Sequence, residues 1–193
     1  MAAVAVLLVA YLLGSVDFGV LVPRTLGVDI YRVGSGNPGA SNVFRTLGKG
    51  PAALVLLGDS LKGVVAALLG GAVGGDALGF AAGLAAVVGH SFPLWHRFRG
   101  GRGVATALGV AVALEPLVGL VLVALWLLVV LVGKVASVAS LLVMALYLPG
   151  LAVAGQSLPA LGWAAGIAVL VVVRHAPNIR RLLGGGERKV VSG

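Results

Sequence analysis

Long apolar runs, separated by short polar stretches, make up most of this chain of 193 residues. The first run, residues 1–22, has about the ~20 residues that a helix needs to cross a bilayer. Hydrophobic residues account for 60% of the chain and charged residues for only 10%, against roughly 25% charged residues in soluble domains. This pattern predicts an integral membrane protein. No cation precedes the first run, which favours a spanning helix over a cleaved signal.

The apolar runs predict an all-α polytopic membrane protein with seven transmembrane helices in a single domain, residues 1–193. The predicted spans are residues 1–22, 51–73, 77–88, 104–113, 117–132, 138–154 and 160–173. A short turn is expected at 74–76. Glu115 and Pro116 predict another turn between the fourth and fifth spans, and a single kinked helix over residues 104–132 is the alternative.

The distribution of cations predicts how the spans are oriented. Of the 14 lysines and arginines, all except Lys62 lie in the loops 24–50, 96–103 and 133–137 or in the tail from residue 174. Because cytoplasmic loops are enriched in Lys and Arg, these loops and the C-terminus are predicted to be cytoplasmic and the N-terminus to be outside. The net charge of +8 therefore reflects membrane orientation, and no nucleic-acid partner is expected.

A polar stretch over residues 34–45, the first loop, reads GSGNPGASNVFR and lies between two apolar runs. Glycine and proline prevent a plain membrane helix here, and Ser and Asn compete for its backbone. The loop offers backbone N–H groups, hydroxyls, amides and a guanidinium, which suit a phosphate or a developing oxyanion. A flexible surface loop is the alternative reading.

Two further polar stretches lie on the same predicted face. The second loop, residues 90–103, ends in Arg-Gly-Gly-Arg-Gly before a helix, so its backbone can approach an anion closely. The third loop, residues 174–189, contains four arginines. Each loop alone fits an orientation signal or a lipid headgroup contact, but together the three loops favour a phosphate site. Within the spans, Asp59 and Lys62 are three residues apart and can pair.

Three motifs occur in order along the chain. The first is Gly34-Ser35-Gly36-Asn37-Pro38-Gly39-Ala40-Ser41-Asn42-Val43-x-Arg45; the second is Gly89-His90-x-Phe92-Pro93 with Gly100-Gly101-x-Gly103-Val104-Ala105-Thr106; the third is Arg174-His175-x-x-Asn178-Ile179-x-Arg181-Leu182 with Glu187-x-Lys189. Asp59-x-x-Lys62-Gly63 also fits. The chain thereby resembles the bacterial integral-membrane glycerol-3-phosphate acyltransferases that use acyl phosphate. It departs at Arg99 and Arg102, where lysine is common, so charge is kept but guanidinium geometry differs.

The resemblance implies transfer of a fatty acyl group from acyl phosphate to the 1-hydroxyl of sn-glycerol 3-phosphate. The products would be 1-acyl-sn-glycerol 3-phosphate (lysophosphatidic acid) and phosphate, in the first acylation of phospholipid synthesis. It further implies a multi-pass protein of the bacterial cytoplasmic membrane whose active site faces the cytoplasm. The implied partners are both substrates, membrane lipids and, functionally, the enzyme that forms acyl phosphate; no cofactor and no metal are expected.

The resemblance and the loop chemistry together give a set of candidate site residues. The candidates for catalysis are Ser35, Arg45, His175 and Asn178. The candidates for substrate binding are Gly34, Gly36, Asn37, Asn42, His90, Arg99, Gly100, Gly101, Arg102, Gly103 and Ser137. Asp59, Lys62 and Glu187 are expected to be structural.

Several alternatives are open at this point. Ser35 could be an acyl-forming nucleophile or a hydroxyl that binds phosphate or carbonyl oxygen; without a Gly-x-Ser-x-Gly elbow, the second is favoured. The proton acceptor could be a substrate phosphate oxygen or His175. A small transporter or channel for a phosphorylated anion is the rival function, with Asp17, Asp59 and Lys62 lining a path. The lack of an internal repeat argues against transport.

Overall fold

A computed structural model describes residues 1–190; residues 191–193, the last part of the predicted tail, lie outside the described residues. The described part is helical, with no strand in it, which confirms the all-α prediction. The helices are α1 (Ala2–Ser15), α2 (Phe18–Thr25), α3 (Ala40–Leu47), α4 (Lys49–Ser91), α5 (Val104–Leu114), α6 (Pro116–Gly133), α7 (Ala136–Val153), α8 (Leu158–Arg174) and α9 (Ala176–Leu183), with single 3-10 turns at Ile30–Arg32 and Leu94–His96.

The first apolar run is a broken helix, so the prediction of one continuous helix over residues 1–22 is wrong. Extended backbone at Val16 and Asp17 separates α1 from α2. Asp17 is the N-cap residue of α2, and its side chain is completely buried. On the other side of the break, Gly14 packs so closely on Ala86 that a β-carbon would overlap the Ala86 carbonyl. The break therefore places a carboxylate inside the helix bundle.

Helix α4 is a hairpin with two arms. Gly74 and Gly75 have non-helical backbone angles, and Gly75 has a φ of +70°, a conformation that favours glycine. Beyond this turn the chain reverses, because Gly79 lies against the Ala67 carbonyl. The turn predicted at residues 74–76 is confirmed. Helices α1, α5 and α8 pack on α4, so the hairpin forms the centre of the fold.

Residues 104–133 form two antiparallel helices, as the Glu115 and Pro116 turn predicted. Gly119 of α6 packs against Val112 of α5, which requires the chain to fold back at Glu115. With 11 residues, α5 is about 16 Å long, roughly half of the hydrocarbon core of a bilayer. The main core lies between α4, α5, α7 and α8 and includes Phe80, Val110 and Tyr147.

Within residues 1–190, four segments are long and apolar enough to cross a membrane: Ala2–Thr25, Lys49–His96, Pro116–Gly133 and Ala136–Val153. A fifth results if Leu158–Arg174 and Ala176–Leu183, which are bent by 53°, form one span. This count is lower than seven because the predicted 77–88 span is the second arm of α4 and because α5 is short. Seven crossings and their orientation therefore stay predictions.

Candidate active site

The first loop is shaped by Asn42, which is buried at the start of α3. Its Oδ1 accepts a hydrogen bond from the Ser35 N–H at 2.8 Å, and its Nδ2 donates to the Val33 carbonyl at 3.1 Å. Gly34 has a φ of +59°, and a β-carbon there would overlap Asn42 Oδ1. The Asn42 amide is thus used by the loop itself. Neither Asn42 nor Gly34 lines the two cavities described below.

Several backbone N–H groups of the first loop are also used within it, and stabilisation of an oxyanion by the remaining ones stays a prediction. The Gly36 and Gly39 N–H groups donate to the Val33 and Asn37 carbonyls. The Ser35 N–H bonds Asn42, and the Asn37 N–H lies 3.4 Å from the Ser35 Oγ. The loop therefore presents side chains, chiefly those of Ser35 and Asn37, to the adjacent cavity.

The second loop packs tightly on the end of α4. The Gly101 N–H donates to the His90 carbonyl at 3.1 Å, and a β-carbon on Gly101 would overlap the His90 ring. The His90 ring therefore fills the space next to the Gly101 α-carbon, and a role of Gly101 in substrate binding stays a prediction. Gly103 has a φ of +84° and packs near Val87. Gly100 lines a cavity, whereas Gly101, Gly103 and His90 do not.

A buried ionic cluster lies beneath this loop. Lys62 Nζ is 2.8 Å from Asp59 Oδ1, which confirms the predicted pair, and it donates to the Val16 carbonyl at 2.9 Å. It also lies 2.9 Å from His90 Nδ1. His90 Nδ1 also lies 3.5 Å from Asp59 Oδ1, so the imidazole is part of the same cluster. Both oxygens of the Asp17 carboxylate are buried, and within residues 1–190 no side chain is hydrogen-bonded to them.

Carboxylate and imidazole atoms of Asp17, Asp59 and His90 lie within 4.8 Å of one another, a spacing that could suit a metal ion. The Lys62 ammonium already contacts Asp59 and His90. A buried ammonium supplies positive charge where a cation would otherwise be needed. The cluster is therefore best described as an ion pair that links the α1–α2 break to both arms of α4.

The third loop begins at the bend between α8 and α9. Arg174 donates from Nε to the Gly101 carbonyl at 3.1 Å and from Nη2 to the Gly100 carbonyl at 2.9 Å. His175 Nδ1 lies 2.8 Å from the Val171 carbonyl, so Nδ1 bears the proton and Nε2 can accept one. His175 is buried and lines neither cavity.

Glu187, near the end of the third loop, binds side chains of α7 and α9. It accepts hydrogen bonds from Ser137 Oγ at 3.0 Å and Asn178 Nδ2 at 2.5 Å, and it pairs with Arg181 Nε at 2.8 Å. Burial raises the pKa of Glu187, but these hydrogen bonds outweigh it, and the pKa lies below its ordinary value. Ser137 and Asn178, expected at the substrate, are thus held by a carboxylate.

A cationic cavity of about 590 Å³ opens where the three loops meet. Arg99, Arg102, Arg174, Arg181 and Arg188 line it, and within residues 1–190 its wall contains no carboxylate. Phe92, Phe98 and Val173 form an apolar part of the wall. A neighbouring cavity of about 20 Å³ shares Ser35 and Arg102 and is also lined by Arg45, Ser137, Asn178 and Glu187.

The electrostatics of the cavity favour an anion. Burial, with Arg181 close by, lowers the pKa of Arg102 to about 10, so the guanidinium is charged at neutral pH but short of counter-charge. Phosphate oxygens match several convergent guanidinium groups through charge-assisted hydrogen bonds. The arrangement can therefore bind a phosphorylated molecule at its polar end and an apolar chain along its other wall.

Sequence reasoning missed some residues of this wall. The Tyr31 hydroxyl donates to the Arg99 carbonyl at 2.5 Å, and the Arg99 guanidinium lies 5.0 Å from the centre of the Tyr31 ring. No motif pointed to Tyr31. Arg174 and Arg181 were present in the third motif without a role, and Arg188 lies beside Glu187 in the tail. The only feature of the sequence that pointed to these three arginines was the cluster of cations to which they belong.

Fold and site together define a helical membrane protein with an arginine-lined cavity. Residues 4–185 match the model of the glycerol-3-phosphate acyltransferase family, and the chain belongs to that family. Curated glycerol-3-phosphate acyltransferases of Rubrobacter xylanophilus and Thioalkalivibrio sulfidiphilus are 48% and 47% identical to it; both alignments cover 96% of this chain, and 94% and 93% of those proteins.

Solved structures agree with the family assignment. The chain is similar to crystal structures of PlsY (YgiH), an integral membrane glycerol 3-phosphate acyltransferase, in its glycerol 3-phosphate and lysophosphatidic acid forms. The TM-scores are 0.94 and 0.92, and the sequence identity is 41% in both cases. Each comparison covers 98% of this chain, and 96% and 95% of the respective PlsY chain. The protein is thus an acyltransferase of the membrane.

Proposed function

We propose that this acyltransferase takes its acyl group from acyl phosphate and transfers it to the 1-hydroxyl of sn-glycerol 3-phosphate. Lysophosphatidic acid and inorganic phosphate are the products. The observation that carries the proposal is the arginine-lined cavity with one apolar wall. The similar PlsY structures in glycerol 3-phosphate and lysophosphatidic acid forms support the acceptor and the product.

The chemistry fits a site that positions reactants. Acyl phosphate is an activated mixed anhydride, so the enzyme needs mainly to align the acceptor hydroxyl and to stabilise the oxyanion. Ser35 lines both cavities and Arg45 the smaller one. In the proposed reaction, the Ser35 hydroxyl and the surrounding guanidinium groups bind phosphate or carbonyl oxygen. Asn37, Arg99, Gly100 and Arg102 complete the substrate-binding wall.

The proposed transfer is direct, without an acyl-serine. Within residues 1–190, no histidine or carboxylate is hydrogen-bonded to the Ser35 hydroxyl, so a base that would activate it is missing. His175 is buried outside the cavity wall, which supports a phosphate oxygen of a substrate as the proton acceptor. We propose that His175 and Asn178 act through the shape of the third loop, Asn178 by way of Glu187.

The proposed setting is the cytoplasmic membrane of a bacterium, with the cavity facing the cytoplasm. The segregation of cations supports this orientation, and an enzyme that forms acyl phosphate would supply the donor. Single cysteines at Ser41 and Asp76 test it. In sealed cells a membrane-impermeant thiol reagent should label position 76 and not position 41. Labelling of position 41 would contradict the orientation.

The activity is tested by phosphate release from acyl phosphate by purified protein in detergent. Release should require glycerol 3-phosphate, acyl-CoA should not replace the donor, and no labelled acyl group should be trapped on Ser35. Arg102→Gln should raise the KM for substrate about 10- to 100-fold, since a charge-assisted hydrogen bond is worth roughly 1.5–3 kcal/mol. Arg97→Gln, an exposed residue of the same loop, is the matched control. Release without glycerol 3-phosphate would contradict the proposal.

A further inference from the structure

Arg174 differs from the other arginines of the cavity because its guanidinium is bound to the second loop. Its Nε and Nη2 donate to the carbonyls of Gly101 and Gly100, at 3.1 and 2.9 Å. The guanidinium also lies 5.0 Å from the centre of the Phe92 ring. A planar guanidinium is suited to such paired donation, and stacking on an aromatic face fixes its orientation.

The second loop needs such support because its glycines leave the backbone free in many conformations. From the α4 side, the loop is held by the Gly101 N–H, which donates to the His90 carbonyl. From the 3-10 turn Ile30–Arg32, the Tyr31 hydroxyl donates to the Arg99 carbonyl. From α8, Arg174 donates hydrogen bonds to two consecutive carbonyls, those of Gly100 and Gly101. Three separate parts of the chain therefore fix residues 99–101.

We infer that Arg174 is a positioning residue that holds residues 99–103 in the form that binds substrate. The inference deepens the proposed function and rests on it, since Arg99, Gly100 and Arg102 line the cavity on either side of these carbonyls. When the two hydrogen bonds are absent, the loop can move, and the cationic side chains of Arg99 and Arg102 leave the positions that match a phosphate. Arg174 thereby acts through the loop rather than through a contact with phosphate.

The test combines kinetics with proteolysis of the free enzyme. Arg174→Met removes the donors and keeps an apolar stem, and Arg180→Met, an exposed residue of α9, is the matched control. For each purified variant, KM and kcat are measured with glycerol 3-phosphate and acyl phosphate. Trypsin cleavage after Arg97 and Arg99, which are exposed, is followed by mass spectrometry without substrate. A direct contact with phosphate would not affect cleavage under these conditions.

We expect Arg174→Met to raise the KM for glycerol 3-phosphate about tenfold or more and to accelerate cleavage after Arg97 and Arg99 several-fold. Arg180→Met should change neither. If Arg174→Met raises the KM but is cleaved by trypsin at the same rate as the wild type, the inference is overturned in favour of a direct contact between Arg174 and substrate. Faster cleavage with an unchanged KM would overturn it too, because loop order would then be irrelevant to binding.

A second variant covers the case in which Arg174→Met is not monodisperse. Arg174→Lys keeps the charge and loses the forked donors, so it should shift both readouts in the same direction by a smaller amount; unchanged cleavage would overturn the inference. Failure of the proposed function is recognised separately. A wild-type protein without glycerol 3-phosphate-dependent transfer would refute that function, while the cleavage comparison would still decide whether Arg174 orders the loop.

Discussion

Removing the charge of Lys62 should destabilise the protein strongly. The side chains of Lys62 and Asp59 are each 3% exposed, and Nζ and Oδ1 are 2.8 Å apart. Methionine keeps an unbranched stem of similar size, but Lys62→Met leaves the Asp59 and Asp17 carboxylates buried without a cation. Removing one partner of a buried pair costs about 3–5 kcal/mol, a large part of a total stability of roughly 5–15 kcal/mol.

Unfolding by sodium dodecyl sulfate in mixed micelles, followed by tryptophan fluorescence, measures this loss. Lys62→Met should lower the free energy of unfolding by about 3–5 kcal/mol. Asp59→Asn combined with Lys62→Met should recover part of it, since it removes one of the orphaned charges. Lys49→Met, at the exposed start of the same helix, is the control. A loss below about 1 kcal/mol, or a double variant no more stable than the single one, would refute the reasoning.

Two further predictions concern the loops. Glu187→Gln should lower the free energy of unfolding at pH 7 by about 1.5 kcal/mol or more. Because the pKa of Glu187 lies below its ordinary value of 4.5 in the folded protein, its stabilisation is complete above that value and is lost as the pH falls through the folded pKa. The wild-type and Glu187→Gln thermal midpoints should therefore converge in acid, and a constant difference would contradict this. Gly101→Ala should reduce the yield of folded protein, because its β-carbon meets the His90 ring. A monodisperse Gly101→Ala protein with a raised KM for glycerol 3-phosphate alone would argue for ligand contact instead.

The sequence predicted the features that depend on neighbouring residues. The turn at Gly74 and Gly75 follows from two glycines in an apolar run, and the turn at Glu115 and Pro116 from a helix-breaking pair. The contact between Asp59 and Lys62 follows from their spacing of three. Each of these signals is local, so a single stretch of chain is enough to read it.

Features that depend on distant residues could not be predicted in this way. The break at Asp17 lies in an apolar run, and its buried surroundings include Lys62, 45 positions later in the chain. The space beside Gly101 is filled by His90, so a glycine that looked free for a ligand has a packing function. Several N–H groups of the first loop bond within it, one of them to the Asn42 side chain. These outcomes depend on tertiary packing.

The position of Glu187 in the chain affects how the protein is made. Ser137, Asn178 and Arg181 all contact this carboxylate, which follows α1 to α9 in the chain and is therefore synthesised after them. The apolar helices can thus be synthesised while the loops around the cavity still lack their common partner. The loops around the cavity should therefore reach their final arrangement only after residues 184–190 have been added and the Val190 N–H donates to the Lys134 carbonyl.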